Sequence, residues 1–265
     1  MTARSAPVTA DDVLTDEARR HYQENGFVRI PQVLSASEVE RFRAASEELV
    51  ARLGPEIWGA GEDEVQVHFV AQAWLKHEAL RDLALHPVIT GVAKRLAAAP
   101  LRLYSTDVLL KSGQKTLNTL PTIVHDDETG LPLHGIDRTL TAWVALVDVP
   151  VESGCLTYLP GSHLRDDTQR QIHMTSFAEY RPLPEVWPDY DWQPRVTVPL
   201  RAGDVAFHHC RTVHMAGANL TDNPRMGHGI VYMDDGATYW PGTEDAHISH
   251  MAPGDPLDNE KFPLI

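Results

Sequence analysis

Cysteine is nearly absent from this chain of 265 residues, which carries only Cys155 and Cys210. A disulfide framework is therefore not expected, and the cytoplasm is the natural compartment. Long apolar runs are absent too: nothing approaches the roughly 20 consecutive apolar residues of a membrane-spanning helix. The opening MTARSAPVTADD has no apolar core, so no secretory leader is expected there. Positive charge is scarce, with 23 Lys and Arg against 37 Asp and Glu and a formal net charge of −14. Because phosphate binding needs clustered cations and no basic block exists, nucleic acid is not an expected partner. The same acidity weighs against polyanionic substrates such as acyl-CoA.

What is present is ordinary globular material, 43% hydrophobic, in a length that buries a core without staples. One catalytic domain over 1–265 is the expectation. Helical signals come first, over about 10–99. Leu14-Thr15-Asp16-Glu17 opens a helix through Tyr22 that stops at Asn25-Gly26. Ser35-Ala36-Ser37-Glu38 reads as a capping box, followed by Val39, Phe42, Ala45, Leu49, Val50 and Leu53 at helical spacing up to Gly54. A third helix begins at Pro87 and runs to about Ala98.

From Pro100 to about 235 the pattern changes to short strand-like runs. The clearest are Leu101 to Leu110, Thr139 to Val149, Cys155 to Leu159, Arg195 to Leu200, Asp204 to His208 and Met226 to Met233. Many short strands with long returns predict a mainly β sandwich or jelly roll with flanking helices. Residues 164–194 carry Tyr180, Trp187, Tyr190 and Trp192 without periodicity and read as a long loop, a candidate lid. A tail covers 236–265. No internal repeat or coiled-coil heptad is present, and oligomeric state is not readable.

The chemistry concentrates in two places. His125 and Asp127 are one residue apart; His214 follows 87 positions after Asp127, and Arg225 eleven after that. In extended backbone alternate side chains share a face, which selects Asp127 over Asp126 and Glu128 as the partner of His125. Two imidazoles and one carboxylate leave three metal positions open, the arrangement that suits a non-haem Fe(II) centre activating O2. The bare His-x-Asp triplet also reads as a solvated loop. It gains meaning from Gly203-Asp204 leading to His214 and Arg225. A hairpin centred on Asn219-Leu220 would place His214 and Arg225 opposite one another, about 5 Å apart at Cβ. A guanidinium there grips a carboxylate bidentately, making Arg225 the candidate anchor for the remote carboxylate of 2-oxoglutarate. Otherwise Arg225 is a surface partner for Asp222, Asp234 or Asp235.

These segments resemble the phytanoyl-CoA dioxygenase family of Fe(II)/2-oxoglutarate oxygenases over roughly Tyr22 to Asp235. The carriers are Tyr22-Gln23-Glu24-Asn25-Gly26-Phe27-Val28, His125-Asp126-Asp127, Thr141-Ala142-Trp143-Val144-Ala145-Leu146, Leu159-Pro160-Gly161-Ser162-His163 and Gly203-Asp204 through Arg225. The resemblance implies a cupin-like double-stranded β-helix, Fe(II) on His125, Asp127 and His214, and 2-oxoglutarate on Arg225 with Trp143 against it. Trp143 alone also reads as plain core. Thr141, two residues earlier on the same face, is a further candidate donor to a carboxylate.

Two departures stand out. Some members place a serine two residues after the distal histidine, where this chain has Ala216, and the serine of a neighbouring group's Arg-x-Ser is here Gly227. Halogenating relatives replace the carboxylate ligand with a small residue; Asp127 is intact, so halogenation is disfavoured.

Other readings compete. His208, His209 and His214 form an alternative zinc hydrolase site, but no general base at helix spacing accompanies them. His163 reads as a structural turn residue, whereas His134 and His228 are open between pocket and core. The expected reaction converts 2-oxoglutarate and O2 to succinate and CO2 while oxidising a C–H bond of a small, partly apolar molecule. Hydroxylation, cyclisation, desaturation and epimerisation all remain open, with the aromatics of 180–192 and Tyr104 as candidate walls. These aromatics, combined with the acidic charge, favour tailoring of a natural product over acyl-CoA hydroxylation. An acyl-CoA hydroxylase and a non-catalytic binding protein on the same fold are the alternatives.

Overall fold

The structure is a computed structural model and describes residues 9–59, 65–113, 119–171, 179, 181–241 and 247–265. Its strands are β1 (Phe27–Ile30), β2 (Glu56–Gly59), β3 (Val65–Val70), β4 (Leu101–Lys111), β5 (Thr122–His125), β6 (Leu133–His134) and β7 (Leu140–Ala145). Then follow β8 (Leu156–Tyr158), β9 (Val196–Val198), β10 (Val205–His209), β11 (His214–Ala216), β12 (Arg225–Asp234) and β13 (Thr238–Tyr239). Pairing is antiparallel throughout. A major sheet has the order β1-β10-β7-β12-β4-β3-β2, a minor sheet β5-β11-β8-β9, and β13 pairs with β6.

Period-two alternation assigns each face of the major sheet. In β7, Ala142 and Val144 join one core cluster with Phe42, Leu49, Leu80 and Val92 of the helices, whereas Trp143 and Ala145 join another with Leu156, Tyr158 and Ala216 of the minor sheet. In β10, Val205 and Phe207 face the helices and Ala206 the minor sheet. The result is three layers: helices, major sheet and minor sheet. This is the jelly roll with flanking helices that the strand pattern predicts.

The helices form where their signals stand. Thr15 caps Asp16–Asn25 by accepting from Ala18 N at 3.1 Å, and Gly26 ends it with φ 81°. A Cβ at Gly26 would lie 2.4 Å from Thr212 Oγ1, so only glycine lets the chain pass there. The Ser35/Glu38 capping box opens Ala36–Leu53, and Pro87 opens Pro87–Ala97 at its first turn.

Several expectations are corrected. His214 and Arg225 are not hairpin partners: His214 pairs with His125 and Tyr158 in the minor sheet, and Arg225 pairs with Lys111 in the major sheet. The residues between them cross from one sheet to the other. The strand bearing His125 ends there, and Asp127 begins a one-turn helix, Asp127–Gly130, capped by Asp126. Tyr104 is no pocket wall. It falls where the β4–β12 register slips, between the pairs Val231–Ser105 and Tyr232–Leu103, and its ring stacks on Phe262.

Of the segment 164–194, the described residues 183–190 pack beside the start of β11. Leu183, Val186, Trp187 and Tyr190 are buried with Leu159 and Val213, and the Arg165 guanidinium lies 5.3 Å over Trp187. Trp187 and Tyr190 are anchored in this cluster; Trp192 is 88% exposed, and Tyr180 lies outside the described residues. No helix among the described residues is long and apolar enough to cross a membrane.

Candidate metal centre

His125 closes β5, His214 opens β11, and the two stand side by side in the minor sheet with ring centroids 4.3 Å apart. Asp127 enters from the helical turn after β5. One donor atom from each residue lies within 4.8 Å of the others. Asp127 Oδ1 is 3.9 Å from His125 Nε2 and 3.7 Å from His214 Nε2.

The hydrogen bonds around these groups decide which atoms are free. His125 Nδ1 is 2.8 Å from Ile123 O, and His214 Nδ1 is 2.9 Å from Thr212 O. A carbonyl oxygen only accepts, so each Nδ1 carries the proton and each Nε2 keeps its lone pair for a metal. Asp127 Oδ2 accepts from Thr141 Oγ1 at 2.6 Å and from His208 Nε2 at 3.1 Å, leaving Oδ1 turned to the histidines. Since His208 Nε2 donates, its Nδ1 accepts, and Tyr158 OH supplies that bond at 3.2 Å.

Electrostatics favour the metal-binding protonation states. Burial and the neighbouring His214 push the His125 imidazolium down to about 4; burial and His208 lower that of His214. Burial opposes ionisation of Asp127, but His214, His208 and His125 outweigh it and hold the carboxyl below the usual range. The acidic neighbours are committed elsewhere. Asp126 caps Thr129 N at 2.8 Å and pairs with buried Arg165 at 3.0 Å, while Glu128 pairs with Arg170 and Arg211 at 2.7 and 2.8 Å.

The cluster opens into a cavity of about 420 Å³ between the sheets. Its walls are mostly apolar, with Trp58, Leu109, Leu156, Met215 and Val231, and Trp143, Thr141 and Arg225 line it as well. The Arg225 guanidinium lies 4.8 Å over Trp143 and donates from Nη1 to Gly154 O at 2.8 Å; its buried Nε has no partner. Burial lowers its pKa to about 10. A buried guanidinium with a spare donor and no paired acid among the described residues is chemically fitted to an incoming carboxylate. Gly227 makes this stack possible, since a Cβ there would sit 2.1 Å from Trp143 Cζ2.

Thus the structure brings His125, Asp127, His214, Thr141, Trp143 and Arg225 to one cavity. Thr141 donates to Asp127 rather than to a free carboxylate. His208 is not in the donor cluster but holds Asp127, while His209 is turned to Asp137 O at 3.0 Å. His163 meets Gln23 O at 3.1 Å as a structural turn residue, exposed His134 lies beside Trp240, and His228 is buried on the helix side without a partner for either nitrogen. The roles of His208 and Tyr158 were missed in the sequence. Alternation along β10 from Ala206 put His208 on the cavity face, but nothing local named Asp127 as its partner.

An antiparallel double-sheet fold with a two-histidine, one-carboxylate cluster beside a buried arginine that has no acidic partner among the described residues defines a jelly-roll metalloprotein class. The family model for phytanoyl-CoA dioxygenase (PhyH) matches residues 22–227, and the chain belongs to that family. Phytanoyl-CoA dioxygenase domain-containing protein 1 of Mus musculus is 32% identical over 125 residues, 44% of this chain and 40% of that protein. The chain thus matches about two fifths of the length of such relatives. Peroxisomal phytanoyl-CoA dioxygenase of Rattus norvegicus is 25% identical over 86% of this chain and 71% of its own.

Solved structures lie nearer. The non-heme alpha ketoglutarate dependent carbocyclase SnoK from nogalamycin biosynthesis is 64% identical, covers 98% of this chain and 100% of its own, and superposes with a TM-score of 0.94. The epimerase SnoN, in complex with Fe3+, alpha ketoglutarate and nogalamycin RO, is 41% identical with a TM-score of 0.84, covering 94% and 97%.

Proposed function

We propose that this protein is an Fe(II)- and 2-oxoglutarate-dependent oxygenase closing a carbocycle on an intermediate of a nogalamycin-type natural product. The observation that carries the reading is the convergence of three metal-donor atoms and a buried arginine, its Nε without a partner, in one apolar cavity. Likeness to the carbocyclase at 64% identity, against 41% for the epimerase, favours ring closure over epimerisation. In this reading His125 and His214 hold iron through Nε2 and Asp127 through Oδ1. Arg225 takes the distal carboxylate of the keto acid, with Trp143 flanking it. When bound, iron and keto acid supply the oxidising equivalents of O2 for hydrogen abstraction.

The chain's own contribution is positioning. The backbone carbonyls of Ile123 and Thr212 orient the imidazoles, Thr141 and His208 turn the Asp127 carboxylate, and the apolar walls exclude water and orient the C–H bond. One oxygenase domain, described over most of the chain, accounts for the site, and two buried free cysteines agree with a cytoplasmic setting.

The test supplies Fe(II), O2, 2-oxoglutarate and the carbocyclase's own substrate, and reads succinate together with product mass. Ring closure removes two hydrogens, so the expected product is about 2 Da lighter, with one succinate per turnover; the two hydrogens leave as water. A product of unchanged mass, or one about 16 Da heavier, would replace ring closure with epimerisation or hydroxylation. Turnover that persists without O2 would remove the oxygenase reading, as would full activity of Asp127→Ala.

A further inference from the structure

The minor sheet stops at the metal row. β5 and β11 pair at His125–His214 and, past a bulge in β5, at Thr122–Ala216; β5 ends at His125 and β11 begins at His214. Asp127 and the chain that leads into His214 therefore lie beyond the ladder, joined by a backbone bond from Glu128 N to Cys210 O at 2.9 Å. A constellation of metal donors tolerates displacements of only about 0.5 Å, so these two stretches need to be held together.

Two arginines hold them. Arg165 Nη2 donates both to Asp126 Oδ2 at 3.0 Å and to Arg211 O at 3.2 Å, so a single nitrogen spans the gap. The Arg211 side chain reaches back the other way, from Nε to Glu128 Oε1 at 2.8 Å. Glu128 is gripped in turn by the fork of Arg170, with Nε on Oε2 at 2.9 Å and Nη2 on Oε1 at 2.7 Å. The two acids that flank Asp127 in the sequence are thus the handles by which its turn is held.

The fold delivers Arg165 to this place. After β8 the turn Leu159-Pro160-Gly161-Ser162-His163 folds back on the residue before His214: Leu159 N donates to Val213 O at 2.9 Å, and Val213 N donates to Ser162 Oγ at 2.9 Å. Arg165 follows, its guanidinium over Trp187. Stability does not account for this residue. Its side chain is 2% exposed, and Nε and Nη1 have no hydrogen-bond partner among the described residues. A buried cation with two unsatisfied donors costs more than an apolar side chain of similar volume, which points to a role in the neighbouring site.

We propose that Arg165 is a positioning residue for the metal centre: its bridge from Asp126 to the Arg211 carbonyl, together with the Arg211 side chain on Glu128, sets the spacing between the His125–Asp127 turn and His214. This rests on the reading of His125, Asp127 and His214 as the metal ligands. Charge alone predicts the opposite effect. Removing a cation from beside the site of a divalent ion tightens metal binding, whereas removing a brace loosens it.

The test is Co(II) titration of the metal-free protein without oxygen, followed by the visible d–d absorption of the bound ion, with urea unfolding measured alongside. Arg165→Met should weaken Co(II) binding about tenfold or more and change the shape of the absorption bands, because the donors no longer converge in the same geometry. Arg165→Lys can place one ammonium between the same two oxygens, and should return affinity to within about threefold of wild type with the wild-type bands. If Arg165→Met does not fold, Asp126→Asn combined with Arg165→Met, which leaves no unpaired buried charge, must show the same weakening and the same change of bands.

Unchanged or tighter Co(II) binding with only stability reduced overturns the proposal, as do unaltered bands or a lysine variant no better than methionine. Failure of the underlying ligand reading looks different: Asp127→Ala and His214→Ala would then bind Co(II) as wild type does.

Discussion

Asp127 does two jobs with one carboxylate, and two neighbours separate them. Oδ2 is held by Thr141 and His208, so that Oδ1 points to the histidines. Replacing His208 with phenylalanine preserves volume but removes the donor. Such supporting partners contribute about 10–100-fold to metal affinity, so His208→Phe should weaken Fe(II) or Mn(II) binding by that factor with the fold intact. Metal titration followed by circular dichroism checks both halves; unchanged affinity would show Thr141 alone suffices. A zinc hydrolase built on His208 would instead lose its metal altogether.

Lys111 gives the clearest pH signature. Burial, then the charge of Arg225, lowers it from 10.5 to about 7. Between those values the unfolded chain carries a proton that the folded protein lacks, so stability rises with pH across this window. Below about 7 both states are protonated and the effect is flat. One proton sets the slope at about 1.4 kcal/mol per pH unit at most. Lys111→Met should remove that slope, read as the wild-type-minus-variant difference in urea unfolding at pH 7, 8 and 9. A difference that stays constant would mean Lys111 is not buried as a strained cation.

At the scale of elements, Gly227 ties β12 to β7. Its missing side chain admits the Trp143 ring, which carries the Arg225 guanidinium. Gly227→Ala should cost about 1–3 kcal/mol by overpacking and should also displace Trp143, weakening keto-acid binding. Urea unfolding and 2-oxoglutarate titration read the two effects; a destabilised variant with normal binding would separate stack from site. The sequence shows a glycine where a neighbouring oxygenase group has serine, but its reason needs the facing strand.

The same limit explains what was legible and what was not. Local signals were enough for the Ser35 capping box, for Pro87 and for the alternation of β7 and β10. The selection of Asp127 survived even though its basis, an unbroken strand, did not, because the turn after His125 still brings Asp127 back to the same side. Pairing of β11 and β12 was misjudged because hairpin logic uses adjacency in sequence, whereas a double-sheet fold sends successive strands to opposite layers. The β5 bulge and the β2–β3 hairpin left no comparable trace. Nor did the packing of Trp187 and Tyr190, whose surroundings carry no periodicity that says which surface they cover.

For the whole molecule, the order in which ligands stabilise it follows from where the core lies. The clusters that join helices, major sheet and minor sheet are apolar and complete without any ion, and the three metal donors sit at their margin. Chelation should therefore leave a cooperatively folding protein. Bound ligands then add stability by mass action, about 2.7 kcal/mol for each present at a hundredfold its dissociation constant. The metal comes first, because it relieves the crowding of three donors and offers the keto acid its chelating end; Arg225 alone holds only the far carboxylate. Thermal unfolding should accordingly show a rise with Mn(II), a further rise with 2-oxoglutarate added to the Mn(II) protein, and little change with 2-oxoglutarate alone. A large shift from 2-oxoglutarate in the metal-free protein would mean that the charged corner of Arg225 and Lys111 dominates binding, and that the metal contributes chiefly to reaction.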